Sequence, residues 1–496
     1  MLKSFAISNT SLSAHVDLYD ERASRFGTWI SVLIGQNGSR KSFILRQILQ
    51  AALDDMAAGK KRNSDLAMPG WEDGAPANVI CISGTPLDRF PRAQMLMLGS
   101  QKKQGQARYL YLGQRAANGM AGIAQSERAL MVALFLNADQ LRARAHIFER
   151  VFNNVGFAPR IDISLKLGKE LERHDSDWVN AHLSVRYVAK DAIEDYARKA
   201  IADYCQAAPV ERHSPRLQAV LNKVSGFDFT INGIFKLLDW FDHAPPCLVF
   251  EKGEIRLASP VWKDWGIDEL EVFVRAGLIE VSRTRFFKQS HHSESARQGQ
   301  GMLELPGDHL SSGQWSWLAG LVGLAAHITD SSLVLIDEPE NSLHPLWQQQ
   351  YITTLNAVMR EFRGAQAMVV THSPIIASGV EPGCGQVQAL IDLGVNEAGQ
   401  QLIESRSVPD TYGWRASDVY EAAFDVPSSR APFFTLTADV ALALIREDKR
   451  MSVAENRLFQ EELTQCLASL PPVDPLRTVL SQLLDELRKR TGHGVG

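Results

Sequence analysis

The chain has 496 residues, 45% of them hydrophobic and 22% charged, with a formal net charge of -5. That length is too great for a single hydrophobic core, so two or more lobes are expected. The charge balance excludes a globally basic nucleic-acid binder, although a local basic patch remains compatible with it.

Taken in chain order, "WISVLIG" is a short apolar, β-rich run ending at Gly35, and "KSFILRQILQAALDDMA" follows with helical spacing of apolar residues. "ANVICISGTP" reads as a second buried strand stopped by Gly84 and Pro86. After "ARYLYLG" the character turns helical, in "RALMVALFLNADQLRARAHIFERVF" and in "DAIEDYARKAIADYC", where Ile193, Tyr196, Ala200 and Tyr204 share a face. A second α/β half opens with "GLIEVSRTRFFK" and "GMLELPGD", two alternating strands around the polar loop "QSHHSESARQGQG". Then come the helix "SSGQWSWLAGLVGLAAHI", the strand "SLVLID", a helix around "HPLWQQQYITTLNAVMREF" and the strand "AMVVTHS". Beyond Gly379 the chain is mixed and then helical, with Leu476, Leu480, Leu483 and Leu487 marking an amphipathic terminal helix. The expected division is an α/β domain in two halves, 1–120 and 261–380, a mainly helical insertion over 121–260, and a mixed, then helical region over 381–496.

Certain short stretches in this framework carry chemistry. "GQNGSRKS", Gly35 to Ser42, keeps the spacing of a phosphate-binding loop, with Lys41-Ser42 in place and Arg40 where the second glycine belongs. In such a loop, backbone N–H groups and the following helix N-terminus form an anion cradle, the lysine reaches the β- and γ-phosphates, and the hydroxyl binds Mg²⁺. "SLVLIDEPE" is an apolar strand ending in Asp337-Glu338: one carboxylate suited to hold a metal, the next to orient or deprotonate a water. "LSSGQ", Leu310 to Gln314, opens a helix; its hydroxyl and N–H donors suit an anion, and they also suit an ordinary helix cap. His372 in "VVTHSPII" follows a strand, one helix after the acidic pair.

In this order the motifs resemble the ATP-binding-cassette (ABC) ATPases, and more closely their soluble SMC-like relatives. The resemblance implies an ABC-type P-loop α/β fold, ATP and Mg²⁺ as cofactors, and ATP hydrolysis. By it, Gly35, Gln36, Asn37, Gly38, Ser39, Arg40, Lys41, Ser42 and Phe43 form Walker A and Ser311, Ser312, Gly313 and Gln314 the core of the signature, all contacting nucleotide. Asp337 with Ser42 holds the metal, Asn341–His344 is the D-loop, and Glu338, His372 (the switch histidine) and Lys41 are catalytic. It further implies a head-to-tail dimer or higher oligomer, each ATP held by Lys41 of one copy and by Ser311 and Gly313 of another. "DEPENSLHP" and "THSPIIAS" look like prokaryotic ATPases related to the overcoming-lysogenization-defect group. "SGTPLDRFP" and "YGWRASDVYEAAF" are similar to the PtuA-type ATPases of Septu and retron antiphage systems. A partner effector such as an HNH nuclease or a toxin is implied, since no acidic Toprim motif follows His372. A nucleotide-locked scaffold that sequesters an effector, and a Rad- or RecF-like DNA-repair ATPase, are the alternatives.

Arg40 leaves two readings open. With negative φ the arginine fits the helix start and adds charge near the phosphates; with positive φ it costs about 1–2 kcal/mol. Either way, turnover that is slow or controlled by a partner is expected. The weaker signals read as structure: "HHSES" (His291, His292, Glu294) as a solvated loop, "KKR" at 60–62 and "QKK" at 101–103 as solvated faces, Trp315 and Trp317 as core or subunit contacts. The five cysteines (Cys81, Cys205, Cys247, Cys384, Cys466) are scattered, which fits reduced thiols. "MLKSFAISNT" lacks a signal-peptide profile, and the longest apolar stretch falls short of the roughly 20 residues that span a bilayer. The expected setting is cytoplasmic, without membrane contact.

Overall fold

The computed structural model describes residues 1–19, 27–56, 67–85, 108–113, 141–168, 195–202, 247–258, 276–289, 302–424, 430–446 and 453–492, with isolated residues between these stretches. It divides into two compact units, Met1–Arg415 and Ala416–Gly496.

In the first unit the elements run β1 (Leu2–Ser8), β2 (Leu12–Asp17), β3 (Trp29–Ile34), α1 (Lys41–Met56), β4 (Ala67–Trp71), β5 (Asn78–Ser83), β6 (Arg108–Leu112), α2 (Ala145–Asn153) and β7 (Phe157–Leu167). They continue with β8 (Cys247–Glu251), β9 (Glu254–Leu257), β10 (Ile279–Gln289), β11 (Met302–Pro306) and α3 (Ser312–Trp317), then a π-turn (Leu318–Val322) and α4 (Gly323–His327). Last come β12 (Ser332–Asp337), α5 (Pro345–Met359), β13 (Gln366–Val370), α6 (Pro374–Ala377), β14 (Gly385–Val395) and β15 (Gln401–Val408).

A ten-stranded sheet with the order β4-β1-β2-β15-β14-β3-β13-β12-β5-β6 organises this unit. From β14 to β6 every neighbouring pair is parallel. β3, β5, β12 and β13 are buried along their whole length, which explains why they read as continuous apolar runs rather than alternating ones. The other arm is mostly antiparallel and alternates buried with exposed residues, as in β2. α1 lays Ile44, Leu45, Ile48, Leu49 and Ala52 onto the sheet, joining Leu33, Leu335, Met368 and Val370 in one core. Burying each of those large side chains contributes about 1.5–3 kcal/mol.

Register then decides what meets at the strand ends. Leu33 pairs with Val370, Val370 with Asp337, and Asp337 with Ser83, so these residues form one transverse row across four strands. The next residues along each chain, at Ile34–Gly35, Thr371–His372, Glu338 and Gly84, emerge together from the carboxyl edge. In open parallel sheets that edge is where ligands bind.

β11-β10-β7-β8-β9 make a separate antiparallel sheet. The apolar face of α2 (Ile147, Phe148, Val151, Phe152) is buried, with Phe148 edge-on to Phe250 at 5.2 Å between ring centroids. The sequence-based division differs here. Residues 121–260 do supply α2, but they also supply β7, β8 and β9; residues 169–194 and 203–246 lie outside the described residues. Likewise β14 and β15, placed in a C-terminal region by the sequence, are inner strands of the large sheet, and the unit boundary falls at Arg415. β7 was not foreseen because Asp162 and the paired Arg160 interrupt its apolar pattern, whereas the sheet places them together at 2.9 Å.

Trp315 and Trp317 are core residues: their Nε1 groups donate to Gly307 O at 2.8 Å and Val151 O at 3.0 Å. The segments 60–62, 101–103 and 291–294 lie outside the described residues. The second unit consists of α7 (Ala416–Phe424), α8 (Pro432–Arg446), α9 (Val453–Ser469) and α10 (Pro475–Gly492). The leucine stripe of α10 packs into this unit's own core: Leu480, Leu483 and Leu487 are buried with Leu463 and Ala441, and Leu476 packs against them. Among the described residues no helix is long and apolar enough to cross a membrane.

Candidate functional site

The Gly35–Ser42 loop leaves β3 and enters α1 in a conformation that glycine permits at Gly35 (φ 152°) and Gly38 (φ 92°). Gly35 also has a packing constraint, because a Cβ there would lie 2.6 Å from the Leu390 carbonyl oxygen. Ser39 is buried and folds the loop on itself, its hydroxyl donating to Gln36 O at 2.8 Å. Gln36, Asn37 and Gly38 are exposed. Phe43, in the first turn of α1, packs against the sheet core, with the Arg46 guanidinium over its ring.

Lys41 is the first residue of α1 and is buried at 5% exposure. Its Nζ donates to Gly35 O at 2.8 Å, Gln36 O at 3.0 Å and Ser39 Oγ at 3.3 Å, so the ammonium is held inside the loop. Burial pushes its pKa down to about 8, against the opposing pull of Glu338, Glu340 and Asp337. Ser42 Oγ donates to Asp337 Oδ1 at 2.9 Å, joining the end of β12 to the start of α1. Burial pushes the Asp337 carboxyl up to about 7; the Ser42 hydrogen bond counters this, and the neighbouring carboxylates of Glu338, Asp88 and Glu340 add to it.

Glu338 adopts a left-handed backbone (φ 46°). Its peptide is fixed from both sides: its N–H donates to Val370 O at 2.9 Å, and Gly84 lies so close that a Cβ would meet Glu338 O at 2.2 Å. The Glu338 carboxylate accepts from Asn341 Nδ2 at 2.8 Å and faces His372 Nε2 at 3.8 Å. Burial and the Lys41 charge lower the His372 pKa, with Glu338 opposing, so the ring is neutral near pH 7.

Glu340 belongs to this cluster and was missed as a functional candidate in the sequence. Its carboxylate accepts from the Thr371 hydroxyl at 2.8 Å and from the His372 backbone N–H at 2.5 Å, tying the β12 end to the histidine's segment. Burial raises its pKa despite these donors. The third acid of "DEPE" was a visible signal, but only pairing of β12 with β13 gives it a partner.

Arg40 resolves the two readings of the loop: its φ is 59°, the left-handed conformation, at a cost of about 1–2 kcal/mol. Its Nε donates to Gln401 Oε1 on β15 at 2.8 Å, and its carbonyl accepts the Ile44 N–H at 2.9 Å.

Ser311–Gln314 lie outside this cluster. Ser311 is exposed and caps α3: its hydroxyl accepts the Gln314 N–H at 3.2 Å, while Gln314 Oε1 accepts the Ser311 N–H at 2.8 Å. This reciprocal capping box is the structural role the sequence also allowed. Ser312 is exposed at the first helical position; Gly313 is buried, where a Cβ would come within 2.2 Å of Ser342 O. Ser342 itself has φ 74°, so the cap sits against the strained turn that follows Glu338.

The donor set fits a Mg²⁺-bound polyphosphate. A serine hydroxyl and a carboxylate are hard oxygen ligands, and a cation beside them would offset the burial that raises Asp337. Lysine N–H donors, a glycine-bearing turn and the N-terminus of α1 converge at the same place, which is the chemistry an anion needs.

The family model described as "AAA domain, putative AbiEii toxin, Type IV TA system" matches residues 114–378, more than half of the chain. The match includes Ser311–Gln314, Asp337, Glu338 and His372, and begins after the Gly35–Ser42 loop. Septu protein PtuA of Bacillus thuringiensis is 25% identical over 152 residues, covering 30% of this chain and 34% of that protein. Protein ea59 of Escherichia phage lambda is 35% identical over 75 residues, 15% of this chain and 14% of that protein. The matched segments thus span about a third or less of these relatives. Among solved structures, UvrA2 from Deinococcus radiodurans aligns over 78% of this chain and 35% of its own, at 14% identity and a TM-score of 0.25. The Smc head domain of Pyrococcus furiosus aligns over 82% of this chain and 96% of its own, at 11% identity and a TM-score of 0.29. With a family model matched over 114–378, more than half of the chain and including the acidic strand end and the histidine, the chain belongs to this family of AAA domains.

Proposed function

We propose that the chain is an ATPase of the ABC/SMC type that clasps Mg·ATP between two copies, turns it over slowly or under a partner's control, and thereby gates a separate effector in antiphage defence. The observation that supports this best is the convergence of Lys41, Ser42, Asp337, Glu338 and His372 from three neighbouring strands. Lys41 and the loop N–H groups would hold the terminal phosphates; Ser42 and Asp337 would hold Mg²⁺, which neutralises charge on the phosphates when bound. Glu338, braced by Asn341, orients or deprotonates the attacking water, and neutral His372 offers a hydrogen bond to the phosphate oxygens. Ser311, exposed at the start of α3, would complete the site from a second copy together with the backbone N–H of Gly313. Nucleotide thereby favours the closed pair by contacts that exist only there. The strained Arg40 supports slow turnover, and similarity to a Septu protein supports an effector such as an HNH nuclease.

Phosphate release and sedimentation, each with and without Mg·ATP, test the reading. Wild type is expected to release phosphate and Glu338→Gln to accumulate as a nucleotide-bound dimer. A chain that stays monomeric with Mg·ATP in both forms and releases no phosphate overturns it.

A further inference from the structure

We propose that the β14–β15 hairpin is a brace for the Gly35–Ser42 loop, with Gln401 as a positioning residue acting through Arg40; its nucleotide arm rests on the reading above. The hairpin touches the loop at both ends. At the start, Gly35 lies against the Leu390 carbonyl so closely that no side chain fits. At the end, Gln401 Oε1 accepts from Arg40 Nε at 2.8 Å, while Gln401 Nε2 donates to Asp392 Oδ2 at 2.6 Å and reaches Gly38 O at 3.4 Å. The relay Arg40–Gln401–Asp392 therefore spans the loop and both strands of the hairpin.

Its geometry depends on an irregularity. The β14–β15 register shifts between Asp392 and Val395, and such bulges re-aim side chains. Gln401 is fixed independently, because its N–H donates to Ser11 O at 3.0 Å and its backbone pairs with Leu12 of β2. A glycine at position 40 would adopt φ 59° freely and could leave it as freely. Arginine enters that conformation at a cost, and the relay supplies a reason to stay. The loop is thus held in one shape by the antiparallel arm of the sheet.

A double-mutant cycle on the full chain tests this. In the absence of nucleotide, hydrogen exchange of the amides of residues 36–42 is expected to rise about tenfold in Gln401→Leu, and less than about twofold when the same change is made on Arg40→Gly. Gln401→Glu combined with Asp392→Asn keeps an acceptor for Arg40 and restores a donor between positions 392 and 401, and should stay within about twofold of wild type. Affinity for a fluorescent ATP analogue with Mg²⁺ should fall about three- to tenfold in Gln401→Leu, and change less than about twofold on the Arg40→Gly background. Equal effects in both backgrounds, no effect, or a Gln401→Glu/Asp392→Asn protein that behaves like Gln401→Leu would overturn the brace. Coupled exchange with uncoupled affinity would overturn the positioning role. Should wild type bind no nucleotide while the exchange coupling persists, the ATP reading fails and the brace stands.

Discussion

The strand-end cluster and the α3 cap are built on opposite principles. In the cluster, Lys41 is partnered by carbonyls of its own loop, and the others across strands: Ser42 with Asp337, Glu340 with Thr371 and His372. Burial still holds Lys41 down near 8 and Asp337 up near 7, so charge there remains incompletely compensated. In the cap, Ser311 and Gln314 satisfy each other, with Ser311 exposed and Gln314 half-buried. One region stores an electrostatic demand that a bound Mg²⁺–polyphosphate would meet; the other is satisfied in isolation.

The sharpest way to break this contrast is Lys41→Ala, which should weaken Mg·ATP binding at least about 100-fold by removing the buried ammonium. Titration calorimetry reads this directly, and an unchanged affinity would mean that the cluster is not the anion site. Glu338→Gln comes next: turnover should fall on the order of 100-fold with affinity within about threefold, because the carboxylate acts on water rather than on the ligand's hold.

The pH dependence of stability sharpens the contrast further. Asp337 has a folded pKa of about 7 and an ordinary value of 3.8. Well below the ordinary value both states are protonated, so no penalty exists. As pH rises toward 7 the unfolded chain releases a proton that the fold retains, and stability is lost across that window. In thermal unfolding of the ligand-free protein, Asp337→Asn should therefore come closest to wild type near pH 3 and exceed it increasingly up to about pH 7, then level off.

Ser311→Ala should cost about 1 kcal/mol through the lost cap and abolish nucleotide-dependent dimerisation, while single-copy affinity stays within about twofold. A loss of affinity as deep as in Lys41→Ala would erase the distinction between the two regions. The smallest effect is expected from Arg40→Gly: relief of about 1–2 kcal/mol of strain set against one lost surface hydrogen bond of about 1 kcal/mol leaves stability nearly unchanged by denaturant unfolding.

Local pattern carried much of this molecule. Continuous apolar runs gave β3, β5, β12 and β13, helical spacing gave α1, α5 and α10, and residue type at the strand ends singled out Lys41, Ser42, Asp337, Glu338 and His372. Those features are legible because burial on both faces of a parallel sheet and on one face of a helix is written in the residue periodicity itself. β7 was invisible, as was the membership of β14 and β15 in the large sheet. Their identity depends on strands distant in sequence, and their polar residues are satisfied only across the sheet. Glu340, Gln401 and the φ of Arg40 belong to the same class. The sequence determined which chemical groups are available and on which elements they ride. Tertiary structure alone decided which of them meet, because strand order and register are set by packing between segments hundreds of residues apart.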